Sequence, residues 1–273
     1  MALRPWPPLR RTPTIAAIVL GGACLLTPAA GAARTVVPPP ADAQFEYQLG
    51  GAYPPAPATR IVVRDRTERP ARGRYNVCYV NAFQTQPQQN RWWRAHHPTL
   101  LLRRRGRAVQ DPDWPGEVLL DTRTTTRRRA IARIVGRWLR GCAEDGFRAV
   151  DLDNLDSWTR SGGLLRRSAN AALARSLVAR AHRLGLAVAQ KNTVELLPQA
   201  RRLRFDFAIA EDCQRYAECD AFTAVYGRRV YEIEYAMSAF RAACAARGAA
   251  IAITYRDRDL RPAGRPGHRS AHC

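Results

Sequence analysis

Short apolar runs alternate with longer amphipathic stretches along most of the chain. The runs are five to seven residues long, and most of them end in a polar or acidic residue. Runs of this length are typical of strands that are buried on both faces, as in a parallel sheet. They predict nine strands: 45–49, 60–65, 75–81, 117–121, 147–153, 186–192, 205–211, 229–235 and 250–255.

Three longer stretches carry a helical pattern instead. Apolar residues recur at intervals of three and four over 131–142 and again over 165–184, which draws one stripe along each stretch. Gly146 and Gly185 follow the two stripes and predict where these helices end. A third helix is predicted over 237–248.

Strands that alternate with helices predict a parallel sheet, because a helical crossover returns the chain to begin the next parallel strand. We therefore predict an α/β fold of one domain, a (β/α)8 TIM-type barrel with one extra strand. An open doubly wound sheet is the alternative. It is less favoured, because no strand is followed by a glycine-rich phosphate loop.

The two ends of the chain depart from this pattern. Residues 1–33 contain three arginines, an apolar run too short to span a bilayer and a small-residue end, which predicts a cleaved secretory signal. The Pro- and Ala-rich segment 34–44 predicts a linker, 45–255 the barrel domain, and 256–273 a polar, mobile tail. We expect a secreted protein. Lipid anchoring at Cys24 is a lesser alternative, because the leucine usual three residues earlier is absent.

The formal net charge is +21, and it is +18 without the three arginines of the leader. These charges are spread along the chain rather than clustered, so we expect no nucleic-acid partner. We also expect no membrane contact after signal cleavage, and a monomer. Lys191 is the only lysine among 44 basic residues. It is therefore a candidate site residue, since ammonium and guanidinium groups are not interchangeable in a confined site.

Six cysteines lie outside the leader, and an even number predicts disulfides in a secreted protein. Two of them are close in sequence and are expected to close one loop, whereas the other four allow three connectivities. The pairings that we favour are Cys213–Cys219, Cys78–Cys142 and Cys244–Cys273. No cysteine or histidine spacing matches a zinc motif, and we expect neither a metal nor a cofactor.

Polar side chains gather at the C-terminal ends of the predicted strands. The most crowded end is 151–156, where aspartates alternate with other residues; a helix N-cap needs only one of them. In a parallel barrel these strand ends share one face, so residues far apart in sequence meet in one pocket. The strand-end residues are Asn81, Asp121, Asp151, Asp153, Asn154, Lys191, Asn192, Glu211, Glu234 and Tyr235.

The expected pocket holds carboxylates, one lysine, amides and aromatic rings, but no Ser-His or Cys-His nucleophile set. Crowded carboxylates push their pKa values apart, which suits groups that move protons. Paired carboxylates with aromatic walls favour glycoside hydrolysis, in which one acid protonates the leaving oxygen and the other acts as nucleophile or base. Candidate sugar-stacking residues are Tyr79, Trp92, Trp93, Trp114 and Tyr235.

Several short motifs, in order, are similar to those of one enzyme family. They are Cys-Tyr-Val-Asn (78–81), Trp-Pro-Gly-Glu (114–117), Leu-Asp (120–121), Val-Asp-Leu-Asp-Asn-Leu-Asp (150–156), Lys-Asn (191–192), Phe-Asp-Phe-Ala (205–208), Glu-Asp-Cys (211–213), Tyr-Ala-Glu-Cys (216–219) and Glu-Tyr (234–235). On these motifs the chain resembles glycoside hydrolase family 114, the endo-α-1,4-polygalactosaminidase-like (β/α)8 barrels. The likeness covers nearly the whole predicted domain.

The resemblance implies an endo-acting hydrolase of α-1,4-linked galactosamine polymers. It implies Asp153 as nucleophile and Glu211 as general acid/base, with Asp151 close by and Lys191 keeping an aspartate ionised. Family members often carry Asn where this chain has Ala210, so a hydrogen bond near the acid is expected to be missing. Substrate-binding roles are implied for Tyr79, Asn81, Asp121, Asn154, Lys191, Asn192, Glu234 and Tyr235.

Two other classes of function stay open at this point. A secreted barrel that binds carbohydrate without turnover would have the same fold, and an activity assay would separate it from the hydrolase. A basic surface protein for anionic polymers would need arginines clustered on one face, and its binding would depend on salt.

Overall fold

The structure is a computed structural model, and residues 35–273 are described. The predicted signal at 1–33 lies outside the described residues. Residues 35–44 contain no helix or strand, but two of their backbone carbonyls accept hydrogen bonds from side chains of the sheet. The Tyr75 hydroxyl donates a hydrogen bond to the carbonyl of Val37 at 2.7 Å, and the Tyr231 hydroxyl donates to that of Pro40 at 2.8 Å.

Eleven strands and six α-helices follow one another along the described chain. The strands are β1 (Phe45–Gln48), β2 (Ile61–Asp65), β3 (Tyr75–Asn81), β4 (Arg103–Arg104), β5 (Arg107–Ala108), β6 (Ala149–Asp153), β7 (Ala187–Lys191), β8 (Phe207–Glu211), β9 (Val230–Glu234), β10 (Ala252–Arg256) and β11 (Ser270–His272). The helices are α1 (Asn90–His96), α2 (Thr125–Asp145), α3 (Arg167–Arg183), α4 (Ala200–Leu203), α5 (Cys219–Tyr226) and α6 (Met237–Arg247). Across residues 35–273, no helix combines the length and the apolarity needed to cross a bilayer.

Nine of the strands form one curled sheet in the order β1-β2-β3-β6-β7-β8-β9-β10-β11. Neighbours from β1 to β10 are parallel, whereas β11 lies antiparallel to β10. The sheet curls far enough for β10 to reach β1: Thr254 Oγ1 donates to the carbonyl of Phe45 at 2.9 Å, and the Arg256 guanidinium donates to that of Tyr47. The fold is therefore mixed α/β, as predicted.

Side chains alternate between the two faces of each parallel strand, which decides what enters the pocket. In β6, Ala149 faces the interior of the curl, while Val150 and Leu152 face the helices. Asp151 and Asp153 share the parity of Ala149 and so point inward. The same alternation turns the last residues of β7 and β8 inward, because Ala187, Ala189, Phe207 and Ile209 belong to the inner cluster.

The predicted strand at 117–121 is not part of the sheet. Its residues form isolated antiparallel bridges instead, Gln84 with Leu119, Leu101 with Leu120, and Gln110 with Val118. Residues 118–121 are buried and belong to the long excursion between β3 and α2. The apolar character of this run therefore reports burial and not membership of the main sheet.

The C-terminal tail is ordered rather than mobile. Its end forms β11, which pairs with β10, so the strand beyond the eight parallel ones comes from here. The buried Arg256 donates to the carbonyls of Arg269 and Arg261, and Asp257 accepts from the backbone of both residues. The tail is thereby packed against the C-terminal end of the sheet.

All three favoured disulfides are present: Cys78–Cys142, Cys213–Cys219 and Cys244–Cys273. The first joins β3 to α2, the second closes a loop directly after β8, and the third ties the last residue to α6. The first spans 64 residues of sequence and the second only 6.

The two disulfides should therefore differ in what they contribute to stability. Because closing a longer loop removes more entropy from the unfolded chain, Cys78→Ala/Cys142→Ala should lose about 4 kcal/mol and Cys213→Ala/Cys219→Ala about 2 kcal/mol. Denaturant unfolding under non-reducing conditions measures both free energies of unfolding. All four sulfurs are buried, so the pairs are matched in burial. Equal losses of stability in the two double variants would show that loop length does not determine how much each disulfide stabilises the fold.

Candidate active site

A pocket of ≈ 430 Å³ opens at the C-terminal ends of the parallel strands. Seven of the predicted site residues line it: Tyr79, Asp153, Asn154, Lys191, Asn192, Glu211 and Tyr235. They come from five different strand ends, so the predicted convergence of strand ends is observed.

Lys191 lies at the bottom of this pocket and is 2% exposed. Its Nζ is 3.3 Å from Asp153 Oδ1, 3.3 Å from Glu211 Oε2 and 3.9 Å from Asp151 Oδ2. It also donates to the hydroxyl of Tyr47 at 2.7 Å. Burial acts to lower the pKa of Lys191, but the three carboxylates outweigh it and hold that pKa well above its usual value. One ammonium group thus balances the charge of three carboxyl groups.

Asp153 is kept ionised by its partners. Its Oδ2 accepts a hydrogen bond from the Tyr79 hydroxyl at 2.7 Å, and its Oδ1 faces Lys191. Burial acts to raise the pKa of Asp153, but the charge of Lys191 and the hydrogen bond from Tyr79 hold it below the usual value. A carboxylate that stays charged at neutral pH is suited to act as a nucleophile.

Asp151 has the opposite character. It is fully buried, and burial, together with the charges of Asp153 and Glu211, raises its pKa to about 7 despite the attraction of Lys191. Its Oδ2 accepts from the Tyr47 hydroxyl at 3.1 Å, while its Oδ1 has no partner among the described residues. Asp151 therefore lies beneath the pocket and holds a proton more readily than Asp153.

Glu211 faces Asp153 across the ammonium of Lys191. Its Oε2 accepts from Asn192 Nδ2 at 3.1 Å, and its Oε1 accepts from the hydroxyl of Tyr235. Ala210 belongs to the cluster on the opposite face of the sheet, so a side chain there does not reach the acid. Asn192 supplies an amide hydrogen bond to Glu211, which corrects the expectation that such a bond is missing.

A left-handed residue follows each of the strands β6, β7 and β8. These residues are Asn154 (φ 61°), Asn192 (φ 46°) and Asp212 (φ 53°). Asn and Asp tolerate this conformation better than other side chains with a Cβ. The chain therefore turns immediately after each strand, and the last inward side chain is left at the pocket floor.

Asn81 lies just behind the pocket and is buried. Its Nδ2 donates to Glu117 Oε2 at 2.9 Å, and its Oδ1 accepts from Asn154 Nδ2 at 3.0 Å. It positions two pocket residues and does not itself line the pocket.

Two predicted substrate-binding residues do not reach the pocket. Asp121 is buried beside α2 and forms ion pairs with Arg123 at 2.7 Å and Arg127 at 3.0 Å. Glu234 alternates with the inward residues of β9 and therefore points to the outer face of the sheet. It is buried there and accepts a hydrogen bond from the backbone N–H of Gln214. Burial raises the pKa of Glu234 to about 8.

One group of side chains in the described part of the chain has the spacing of a metal site: Cys213, Cys219, Glu232 and Glu234. The two sulfurs form a disulfide, so they offer no thiolate.

The three tryptophans predicted to stack on sugars lie in different places. Trp92 and Trp93 pack with each other and with His97, whereas Trp114 lines the pocket.

Several pocket residues were missed by sequence reasoning. Tyr47, Glu117 and the tail residues 258–260 also line the cavity. Tyr47 sits at an inward position of β1, two residues after Phe45, and this period could have indicated it. Glu117 is part of the Trp-Pro-Gly-Glu motif but follows no sheet strand. The tail residues reach the pocket through tertiary contacts, for which the sequence carried no signal.

A model of glycoside-hydrolase family GH114 matches residues 26–273 of the chain. The chain belongs to family GH114. It is a glycoside hydrolase by this membership, and the pocket contains the acids that such chemistry requires. None of the curated proteins matches the chain.

Solved structures show the same fold at low identity. Aspergillus fumigatus Ega3, in complex with galactosamine, is 21% identical with a TM-score of 0.72, over 89% of this chain and 100% of that one. The glycoside hydrolase domain of PelA from Pseudomonas aeruginosa is 16% identical with a TM-score of 0.55, over 82% of this chain and 97% of that one. The GH114 chain therefore shares its fold with both.

Replacing Lys191 should destabilise the GH114 fold in a pH-dependent way. Lys191→Met leaves buried carboxylates without a cation, which costs about 3–5 kcal/mol at neutral pH. The folded-state pKa values of Asp151 and Asp153 then lie above their unfolded values. Such groups favour folding at low pH, and this contribution is lost as the pH rises through the folded pKa. The loss of stability of Lys191→Met relative to wild type should be largest near pH 7 and should become smaller towards pH 4.

Thermal unfolding of both proteins over this pH range provides the measurement. Lys191→Arg is the matched comparison, because it keeps the positive charge but not the compact shape of the ammonium group. Its loss of stability relative to wild type should increase less with pH than that of Lys191→Met. A gap for Lys191→Met that is the same at every pH would rule out the charge argument.

Proposed function

We propose that this GH114 protein is a secreted enzyme that cleaves within α-1,4-linked galactosamine-containing polysaccharide, with Asp153 and Glu211 as the catalytic carboxylates. The observation that carries the proposal is the charge of the pocket. Seven carboxylates and three basic side chains line it, on a chain whose net charge is +21. An acidic pocket in a basic molecule suits a cationic substrate, and unacetylated galactosamine units carry ammonium groups.

The comparison with Ega3 supports the same substrate class. Its solved structure is a complex with galactosamine. Internal cleavage is carried over from the family resemblance. Trp114, which is 47% exposed at the pocket, offers a ring face for a sugar of a longer chain.

Asp153 acts as the nucleophile in this proposal. Its lowered pKa keeps it charged, and Lys191 and Tyr79 hold it in place. Glu211 protonates the leaving oxygen and then, as a carboxylate, activates the water that releases the product. Asn192 and Tyr235 orient Glu211 through the hydrogen bonds that they donate.

The separation of the two acids favours retention of anomeric configuration. Asp153 Oδ1 and Glu211 Oε2 are each 3.3 Å from the same nitrogen, so these oxygens are no farther apart than twice that distance. Retaining glycosidases hold their carboxyl groups about 5–5.5 Å apart, and inverting ones about 6.5–9.5 Å. The upper limit on the separation reaches only the lower edge of the inverting range, which favours a covalent glycosyl-enzyme intermediate on Asp153.

We further infer that the curled sheet is a closed (β/α)8 barrel in which the crossovers from β1 to β2 and from β2 to β3 lack helices. We propose that the protein is exported through residues 1–33 and acts as a monomer. Three disulfides are consistent with an oxidising compartment.

Neutralising either acid should abolish hydrolysis. Asp153→Asn and Glu211→Gln should each lower the release of reducing ends from partly deacetylated α-1,4-galactosaminogalactan by at least about 100-fold. Both changes keep side-chain size, and an unchanged circular dichroism spectrum shows that the fold persists. Asp220→Asn, at an exposed carboxylate on α5, is the control and should retain activity. Release that survives in both acid variants would mean that other carboxylates are catalytic.

Azide rescue, followed by the shortening of the polymer rather than by reducing ends, can assign the two roles. Azide should restore cleavage by Asp153→Gly, because a small anion can replace a missing nucleophile. The glycosyl azide formed should have the anomeric configuration opposite to that of the linkage cleaved. Nuclear magnetic resonance of the product determines that configuration. Rescue of Glu211→Gly instead, with inversion, would exchange the roles of the two acids.

A further inference from the structure

The carboxylates that line the pocket around the catalytic pair differ in their partners. Asp156 and Asp259 form ion pairs with arginines at 2.8 and 2.6 Å. Asp65 accepts hydrogen bonds on both of its oxygens. Asp113 is exposed at the rim. These four are neutralised, occupied or solvated in the absence of substrate.

Glu117 is different. It is partly buried, and its Oε2 accepts one hydrogen bond, from Asn81 at 2.9 Å. Among the described residues, no basic side chain lies within ion-pair distance of it, and no side chain donates to its Oε1. Glu117 is therefore a pocket carboxylate with one oxygen available and no cation of its own.

The surroundings of Glu117 make a cation favourable there. Burial raises its pKa to about 7, and the negative charges of Asp153 and Asp111 add to this effect. Arg160 is the cation that acts on it, but its guanidinium is bound to Asp111 at 2.5 Å and to Asp156 at 2.8 Å. The hydrogen bond from Asn81 fixes the carboxylate without supplying charge.

The position of Glu117 relative to the reacting centre is also fixed. Asn81 contacts Glu117 with one amide atom and Asn154 with the other. Asn154 directly follows Asp153 in the chain. Glu117 is thereby connected through two hydrogen bonds to the strand end that carries the proposed nucleophile, and Glu117 and Asp153 line the same pocket.

We propose that Glu117 binds the ammonium group of a galactosamine unit beside the scissile bond, and so makes the enzyme select unacetylated over N-acetylated chains. This inference rests on the proposed function. An ammonium group would supply the missing cation and would occupy the free oxygen. An acetamido group is neutral and bulkier, and it would leave the carboxylate unpaired. Asp121 and Glu234, the acids assigned to sugar binding from the sequence, do not reach the pocket and leave this role to Glu117.

The test compares Glu117→Gln with wild type on fully deacetylated and fully N-acetylated α-1,4-galactosamine oligomers. For the deacetylated oligomer, kcat/KM should fall about 10- to 100-fold, mainly through KM, because a charge-assisted hydrogen bond is lost. For the acetylated oligomer it should change by less than about threefold. Asp220→Asn is the control: it removes one exposed carboxylate outside the pocket and should preserve the ratio of kcat/KM between the two oligomers. If Glu117→Gln lowers kcat/KM equally on both oligomers, so that the ratio between them is unchanged, the proposal is overturned.

Binding provides a readout that does not require turnover. In a Glu211→Gln background, titration calorimetry should show that Glu117→Gln weakens binding of the deacetylated oligomer about 10- to 100-fold and leaves the acetylated one unaffected. If wild type cleaves neither oligomer, the proposed function fails, and the binding result alone decides the role of Glu117. Equal affinities for both oligomers when Glu117 is intact would overturn this inference even if hydrolysis is observed.

Discussion

A single buried ammonium group balances the charges on which the pocket depends. Lys191 approaches two carboxylates at 3.3 Å and a third at 3.9 Å. Buried carboxylates without a cation would be strongly unfavourable, so neither the acidic floor nor the lowered pKa of Asp153 could exist without it. A planar guanidinium could not approach the same three groups as a compact point charge does. This requirement explains why a chain that otherwise uses arginine carries one lysine.

Local backbone geometry brings that lysine to its acids. Inward positions recur every second residue, and β6, β7 and β8 each end on an inward residue. The left-handed residues Asn154, Asn192 and Asp212 then turn the chain away at once. Three adjacent strands thus present Asp153, Lys191 and Glu211 as the last inward side chains of their C-terminal ends.

The basic charge of the molecule and the acidic charge of its pocket are separated in space. Several arginines are committed to internal contacts: Arg160 joins two aspartates, and Arg256 anchors the tail through backbone carbonyls. Most of the other arginines between residues 35 and 273 are exposed or half-exposed. The excess of carboxylates in the pocket therefore favours cations there although the chain as a whole is basic, and the proposed role of Glu117 assigns this preference to one side chain.

The structure decided among the three connectivities that the sequence left open for four of the cysteines. The sequence by itself determined the alternating strand–helix order and the meeting of Asp153, Lys191 and Glu211 at neighbouring strand ends. These features depend on short-range periodicity and on the shared direction of parallel strands. Only the tertiary structure decided which other acids enter the pocket. Parallel strands are buried on both faces, so hydrophobicity does not reveal which parity points inward. Glu234 therefore read as a pocket residue although it faces outward, and Asp121 read as a strand end although its run lies outside the sheet. Glu117 and the tail residues enter the pocket through contacts between distant segments, and no local pattern in the sequence encodes such contacts.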